Sequence, residues 1–334
     1  MSLNDMRILH LLLLSLLVFA SSCISEPKAH RCSGAIWATS YNITYTAPTY
    51  LTDSILATFD KVENTLSPFA KSSLISRINR NESMETDSLL RCVFEASLLV
   101  NRASSGAFDP TISPLVNLWG FGYKNATEPP TQTMIDSALN LVGINRCRIE
   151  ADTMIKASPD MEFNFSAITK GYGCDLVGEV LERNGATDYM VEIGGEIALK
   201  GHNPQGNLWN IQIDAPIESK DASQHTALKV IQVTDCGIAT SGNYRNYKET
   251  ATGRTWHTID PRTGRPVITS TLSATVIAPN CMLADALATA CMAMPAPEAI
   301  KMIEAIPGAA AMLVEAAADS AFAVTTTSRF PELH

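Results

Sequence analysis

The sequence predicts an α+β fold, and three observations carry that reading. Some segments repeat apolar residues at helical spacing and others alternate at strand spacing, without the regular βαβ succession of a doubly wound sheet. The stretches "DYMVEIGGEIALKG", "LWNIQIDAP" and "LKVIQVTDCGIAT" follow one another across polar turns, as antiparallel strands do. Composition is that of a globular chain, with 46% of 334 residues hydrophobic, 18% charged, and Gly and Pro scattered.

The N-terminus, "MRILHLLLLSLLVFASSC", joins a short basic flank to an apolar run and then to small residues before Cys23. The run is short for a membrane span and reads as a secretory signal. It resembles a bacterial lipoprotein signal in which residues 1–22 are removed and Cys23 is acylated. Ala20 stands where Leu is usual, and plain secretion is the alternative. Residues 23–34 are expected as a tether, 35–325 as one domain and 326–334 as a tail. The expected location is a lipid anchor on the periplasmic or extracytoplasmic face of the membrane. A formal charge of −9 argues against nucleic acid, whose phosphates need a basic face. The seven cysteines after Cys23 lack metal-site spacing and read as buried free thiols, with a disulfide left open.

Along the domain, "AIWATSYNITYTA" alternates as a strand and "DSILATFDKVENTLS" has helical spacing. A second helix covers "TDSLLRCVFEASLLVNRAS" up to Gly106, and "TEPPTQTMIDSALNLVG" is a polar loop entering a helix closed by Gly143. "IESKDASQHTA" is a polar hairpin loop, and "IATSGNYRNY" ends a strand in a Ser-Gly turn.

Four stretches could carry chemistry. In "APNCMLADALATACMAM", Asn280 is the expected N-cap of an almost wholly apolar helix. Asp285 lies beyond its first turn, where a buried carboxylate must be paired, protonated or bound to a cation. Thr289 falls one turn on; the two oxygens suit Mg²⁺, while a hidden Arg on Asp285 and a back-bonded Thr289 are the structural alternative. In "NFSAITKGYGCDLVGEVLERNG", Ser166 is the expected N-cap, with Ile168, Tyr172, Leu176, Val180 and Leu181 as the buried stripe. Lys170 near that N-terminus is either an anion contact or a solvated lysine. "GAFDPTISPLVNLWGFG" sets a buried-looking Asp109 among Phe108, Trp119 and Phe121, as aromatic core or flavin pocket. In "TWHTIDPRTGRPV", His257 precedes a Pro-Arg-Thr-Gly turn that would fix it, and its type titrates near neutrality. A packed or exposed-strand histidine is the commoner case, and local sequence does not decide between it and a catalytic one.

Taken in order, "SPFAKSSLISRIN", "GAFDPTISPLVNLWGFG", "FSAITKGYGCDLV", "VEIGGEI", "ATSGNYRNY", "HTIDPRTGRPV" and "APNCMLADALATA" resemble the ApbE family of flavin transferases, over roughly Ile36 to Met294. The resemblance implies an α+β fold of two lobes, with mixed or antiparallel sheets and flanking helices around an FAD cleft. It implies Mg²⁺ held by Asp285, Thr289 and the carbonyl of Ala167, and FAD touching Trp37, Phe69, Ala107, Phe108, Asp109, Asn164, Lys170 and Val267. His257 matches the family's base. Trp37-Ala38 stand where Met-Gly is common, Phe69 where Tyr is, and Asn164 where Asp is. The activity implied is transfer of FMN from FAD to a Thr or Ser hydroxyl of an exported acceptor protein, with release of AMP. An FAD pyrophosphatase and a non-catalytic FAD-binding lipoprotein are the rivals.

Overall fold

An eight-stranded antiparallel sheet organises the chain in this computed structural model, which describes residues 27–122, 129–217, 226–243, 247–250, 253–317 and 322–332. The signal, Cys23 and most of the "IESKDASQHTA" loop lie outside the described residues. The N-terminal part runs β1 (Lys28–Ile36), β2 (Thr39–Ala47), α1 (Thr52–Leu66), α2 (Leu74–Asn79), α3 (Ser88–Ala103), α4 (Ser113–Leu118) and α5 (Gln132–Leu139). Then come β3 (Cys147–Glu150), β4 (Thr153–Lys156), α6 (Ser166–Arg183), β5 (Asp188–Ile193), β6 (Glu196–Lys200), β7 (Trp209–Asp214), β8 (Ala227–Val233) and β9 (Cys236–Gly242). The C-terminal part is β10 (Tyr247–Thr250), β11 (Gly253–Trp256), β12 (Ile259–Asp260), β13 (Arg265–Pro266), β14 (Thr271–Ala278), α7 (Cys281–Met292), α8 (Ala296–Glu304), β15 (Ala310–Ala316) and β16 (Phe322–Thr326).

The large sheet is ordered β1-β2-β5-β6-β9-β14-β15-β16, and the remaining strands form hairpins β3-β4, β7-β8, β10-β11 and β12-β13. Strand alternation gives the sheet two buried faces. Ala239, Ala274, Val276, Ala311 and Leu313 join the core beneath the helices, while Ile238, Ile277, Met312 and Val314 pack with Trp209 and Ile211 of the β7-β8 hairpin. The helix-side core is continuous from Val62 and Leu90 through Phe163 to Leu287 and Leu313, so α1–α3 share it with the sheet.

Several expectations are corrected. "AIWATSYNITYTA" is two strands, because Trp37 (φ 48°) and Ala38 (φ 60°) form a two-residue turn with both residues left-handed. That is the type I′ geometry matching strand twist, held here without its usual glycine or asparagine. "LKVIQVTDCGIAT" also splits, with Asp235 at φ 51° turning the chain from the β8 hairpin into the large sheet. Gly194 and Gly195 (φ 63° and 100°) make the β5-β6 turn, and Ser241-Gly242 stay within β9 instead of turning. Ser166 is the first helical residue, and its N–H is accepted by Asn164 Oδ1 at 2.9 Å. Leu176 and Val180 are only half-buried, and the buried face of α6 runs instead through Gly171, Cys174, Val177 and Gly178. The tether expected over 23–34 is a paired strand from Lys28 onward, and the tail from 326 is docked: Thr327 is buried, and Arg329 donates to the carbonyls of Ile303, Glu304, Ile306 and Ala309. All seven described cysteines are free thiols.

Candidate functional site

Helix α6 crosses α7 at Gly171. A Cβ there would lie 2.3 Å from the Cys281 carbonyl oxygen and 2.8 Å from Asp285 Cβ, so only glycine permits the approach. The close crossing lets Asp285 Oδ2 accept the Gly171 N–H at 3.0 Å. In a regular helix that N–H serves the carbonyl four residues back, which is Ala167. Sharing it with Asp285 leaves the Ala167 oxygen with accepting capacity beside the carboxylate's helix. Asparagine 280 caps α7 as expected, accepting Leu283 N–H, and Asp175 of α6 accepts the Cys281 and Met282 N–H groups at 2.8 Å each.

Lys170 is not solvated in isolation; its Nζ lies 2.5 Å from Glu196 Oε2 at the start of β6. Asp285 and Glu196 are 3% and 4% exposed. Burial pushes the Asp285 carboxyl up, opposed by the Lys170 charge and the Gly171 N–H. Burial also pushes Glu196 up to about 8, with the Asp285 charge adding and Lys170 opposing. For Lys170, burial acts downward, but Glu196 and Asp285 outweigh it and hold the ammonium above its ordinary value. Asp285 therefore accepts the Gly171 N–H and feels the charge of Lys170, whose ion pair is made with Glu196, in place of the hidden arginine weighed from sequence.

Strand β9 connects this cluster to His257. Ser241 Oγ lies 3.4 Å from Thr289 Oγ1, and two residues on, the Asn243 Oδ1 accepts the Thr258 hydroxyl at 2.7 Å. Two strand residues span roughly 7 Å, so the Thr289 and His257 regions share one strand end. His257 is half-buried and lies outside β11 and β12. Its turn is fixed: Asp260 accepts from Arg262, Arg262 also donates to the Ala293 carbonyl, and Trp119 Nε1 donates to the Gly264 carbonyl at 2.8 Å.

The other expected positions have distinct surroundings. Trp37 packs edge-on to Phe59 and over Gly173 of α6, and its indole N–H is buried without a partner. Phe69 is 73% exposed on the α1–α2 loop. Ala107 and Phe108 are buried. Asp109 is committed to the fold, accepting from Thr111 N–H and hydroxyl, Asn101 Nδ2 and Ile144 N–H. Burial raises its pKa against those four bonds. Asn164 donates its N–H to Pro110, which ties α6 to the Asp109 loop, and Val267 N–H donates to the Thr258 carbonyl at 2.9 Å. The sequence reading missed Glu196, Ser241 and Asn243. Glu196 had a signal, because it shares the period-two face of buried Ala198 and a lone carboxylate there demands a partner. Among the described residues, no three His, Cys, Asp or Glu side chains are grouped to hold a metal.

The ApbE family model matches residues 37–313. The FAD:protein FMN transferase of Vibrio cholerae is 37% identical over 294 residues, covering 85% of this chain and 87% of that one. The FAD:protein FMN transferase of Haemophilus influenzae is 33% identical over 329 residues, 94% of each. Among solved structures, the flavin transferase ApbE from Vibrio cholerae aligns with a TM-score of 0.78 at 32% identity, over 91% of this chain and 98% of that one. The apo flavinyl transferase ApbE of Pseudomonas stutzeri aligns with a TM-score of 0.79 at 29% identity, over 91% and 96%. With the family model matching residues 37–313, most of the chain, and relatives this similar over most of both chains, the chain belongs to the ApbE family.

Proposed function

We propose that this enzyme is an FAD:protein FMN transferase that moves FMN from FAD to a Thr or Ser hydroxyl of an acceptor protein, using Mg²⁺ at Asp285, Thr289 and the Ala167 carbonyl. The observation that supports the metal is the oxygen set at the α6–α7 crossing: the buried Asp285 carboxylate, Thr289 one helical turn on, and the Ala167 carbonyl whose usual N–H partner is shared with Asp285, while Lys170 is taken up by Glu196. A carboxylate, a hydroxyl and a carbonyl are hard oxygen donors, and Mg²⁺ completes its shell with water and substrate phosphate, so three acidic ligands are not required. When bound, the cation neutralises the pyrophosphate of FAD.

The chain's own residues do the rest. Lys170, which is ion-paired with Glu196, meets a phosphate of FAD. Trp37, Phe69, Ala107, Phe108, Asn164 and Val267 contact FAD, and Asp109 serves that surface by holding its loop. His257 takes the proton of the acceptor hydroxyl; the oxygen bonds to the FMN-side phosphorus, the P–O bond to AMP breaks, and AMP leaves. The location proposed is a lipid anchor on Cys23 at the extracytoplasmic face, supported by the signal-like N-terminus. Incubation with FAD, Mg²⁺ and an exported acceptor protein tests the function. AMP with flavinylated protein is expected; AMP with free FMN would make the chain a pyrophosphatase, and neither product would make it a binding protein.

A further inference from the structure

Ile268 is 99% exposed, the most exposed large apolar side chain among the described residues. A single exposed isoleucine is ordinary on a protein surface. Its register is not. In the β12-β13 hairpin Ile259 stands opposite Pro266, and Asp260 opposite Arg265. One step outward, the Val267 N–H to Thr258 carbonyl bond at 2.9 Å continues that pairing. Just beyond that last bond, Ile268 and His257 are the next residues along the two chain segments. Consecutive Cα atoms are about 3.8 Å apart, so Ile268 directly follows the Val267 that bonds to Thr258, the neighbour of His257.

We propose that Ile268 determines acceptor specificity, by packing on an apolar side chain adjacent to the hydroxyl residue that His257 deprotonates. This rests on the transferase reading above. An acceptor must bring its hydroxyl to His257, and chain neighbours follow at roughly 3.3–3.6 Å per residue, so the flanking residues are laid within reach of Ile268. Among the described residues nothing covers that side chain, and its apolar surface is offered to the partner. The hairpin that carries it is braced by Trp119 and Arg262, which presents a preformed contact.

The test uses a peptide library, each member carrying one threonine with randomised neighbours, incubated with FAD, Mg²⁺ and either the wild-type enzyme or Ile268→Glu. Wild type is expected to label peptides enriched in aliphatic residues within two positions of the threonine. Ile268→Glu is expected to label these roughly 10- to 100-fold less efficiently through KM, the worth of burying such a side chain, and to shift its residual pool toward Lys and Arg. Its melting temperature and FAD affinity should match wild type. Identical labelled pools and yields from both enzymes overturn the proposal. A fall in FAD affinity also overturns it, by assigning Ile268 to the nucleotide. If wild type produces AMP and free FMN with no labelled peptide, the transferase reading itself fails, and this inference with it.

Discussion

His257 and Asp285 make separable demands on an experiment. In its proposed role as the base, His257 would act in the chemical step, so His257→Ala should lower single-turnover AMP release by about 10²–10⁴-fold while FAD affinity barely changes. The wild-type rate should rise with pH as the imidazole loses its proton, because only the neutral ring accepts one. A loss of melting temperature with the rate per folded enzyme retained would make the histidine structural. Asp285→Asn keeps an acceptor for the Gly171 N–H and removes one charge from the cluster. Loss of even an outer-shell metal contact costs about 10–100-fold, so this variant should lose at least that much Mg²⁺-dependent turnover. Titrating wild type with a chelator should give the same loss, and full activity in either experiment rejects the metal site.

At the scale of elements, the α6–α7 crossing is both a packing contact and the frame of the site. Gly171→Ala places a methyl against the Cys281 carbonyl and Asp285 Cβ, and backbone cannot yield as a flexible side chain would. The helices must separate, at a cost of roughly 1–3 kcal/mol measured by denaturant unfolding, and activity should fall with the geometry of Asp285. Asp175, one turn further along the same face of α6, also ties the two helices. Burial pushes its carboxyl up to about 7, despite the two α7 amides that lower it. Between the ordinary carboxylate pKa of about 4 and that value, the folded state holds a proton that the unfolded state has released. Stability should therefore fall as pH rises across this window and level off above it. Asp175→Asn should flatten that slope in unfolding experiments at fixed ionic strength; an unchanged slope would show that other groups set it.

At the scale of the whole molecule, the sheet begins close to the proposed anchor. Strand β1 starts at Lys28, five residues after Cys23, so an acylated Cys23 holds this edge strand within roughly 17 Å of its lipid. Cys23→Ser should release the protein from the membrane fraction, and membrane association without lipid on the mature N-terminus would reject the anchor. The C-terminal end is also part of the body, because Arg329 closes four carbonyls at the end of α8 and its following turn. Removing residues from 327 onward should lower thermal stability, since those carbonyls and the Ala311 N–H, which donates to Thr327 Oγ1, lose their partners.

Much of this was legible in the chain itself. Periodicity determined the α+β class, the apolar helix that carries Asp285 and the Asn280 cap, because these follow from spacing and local hydrogen bonding within a few residues. The strangeness of a carboxylate on that helix was also legible, since burial of charge is costly wherever the helix packs. The motifs in order carried the family. Tertiary structure alone decided which groups meet: Lys170 with Glu196 from a strand 26 residues on, Gly171 with Asp285, and Ser241 and Asn243 joining Thr289 to the His257 turn. It also decided that Asp109 holds a loop and that Trp37 turns a hairpin. Such pairings join residues distant in sequence, where neither propensity nor spacing acts; they are set by how closely α6, α7 and the sheet can pack, and that closeness is permitted by a glycine whose purpose no local pattern reveals.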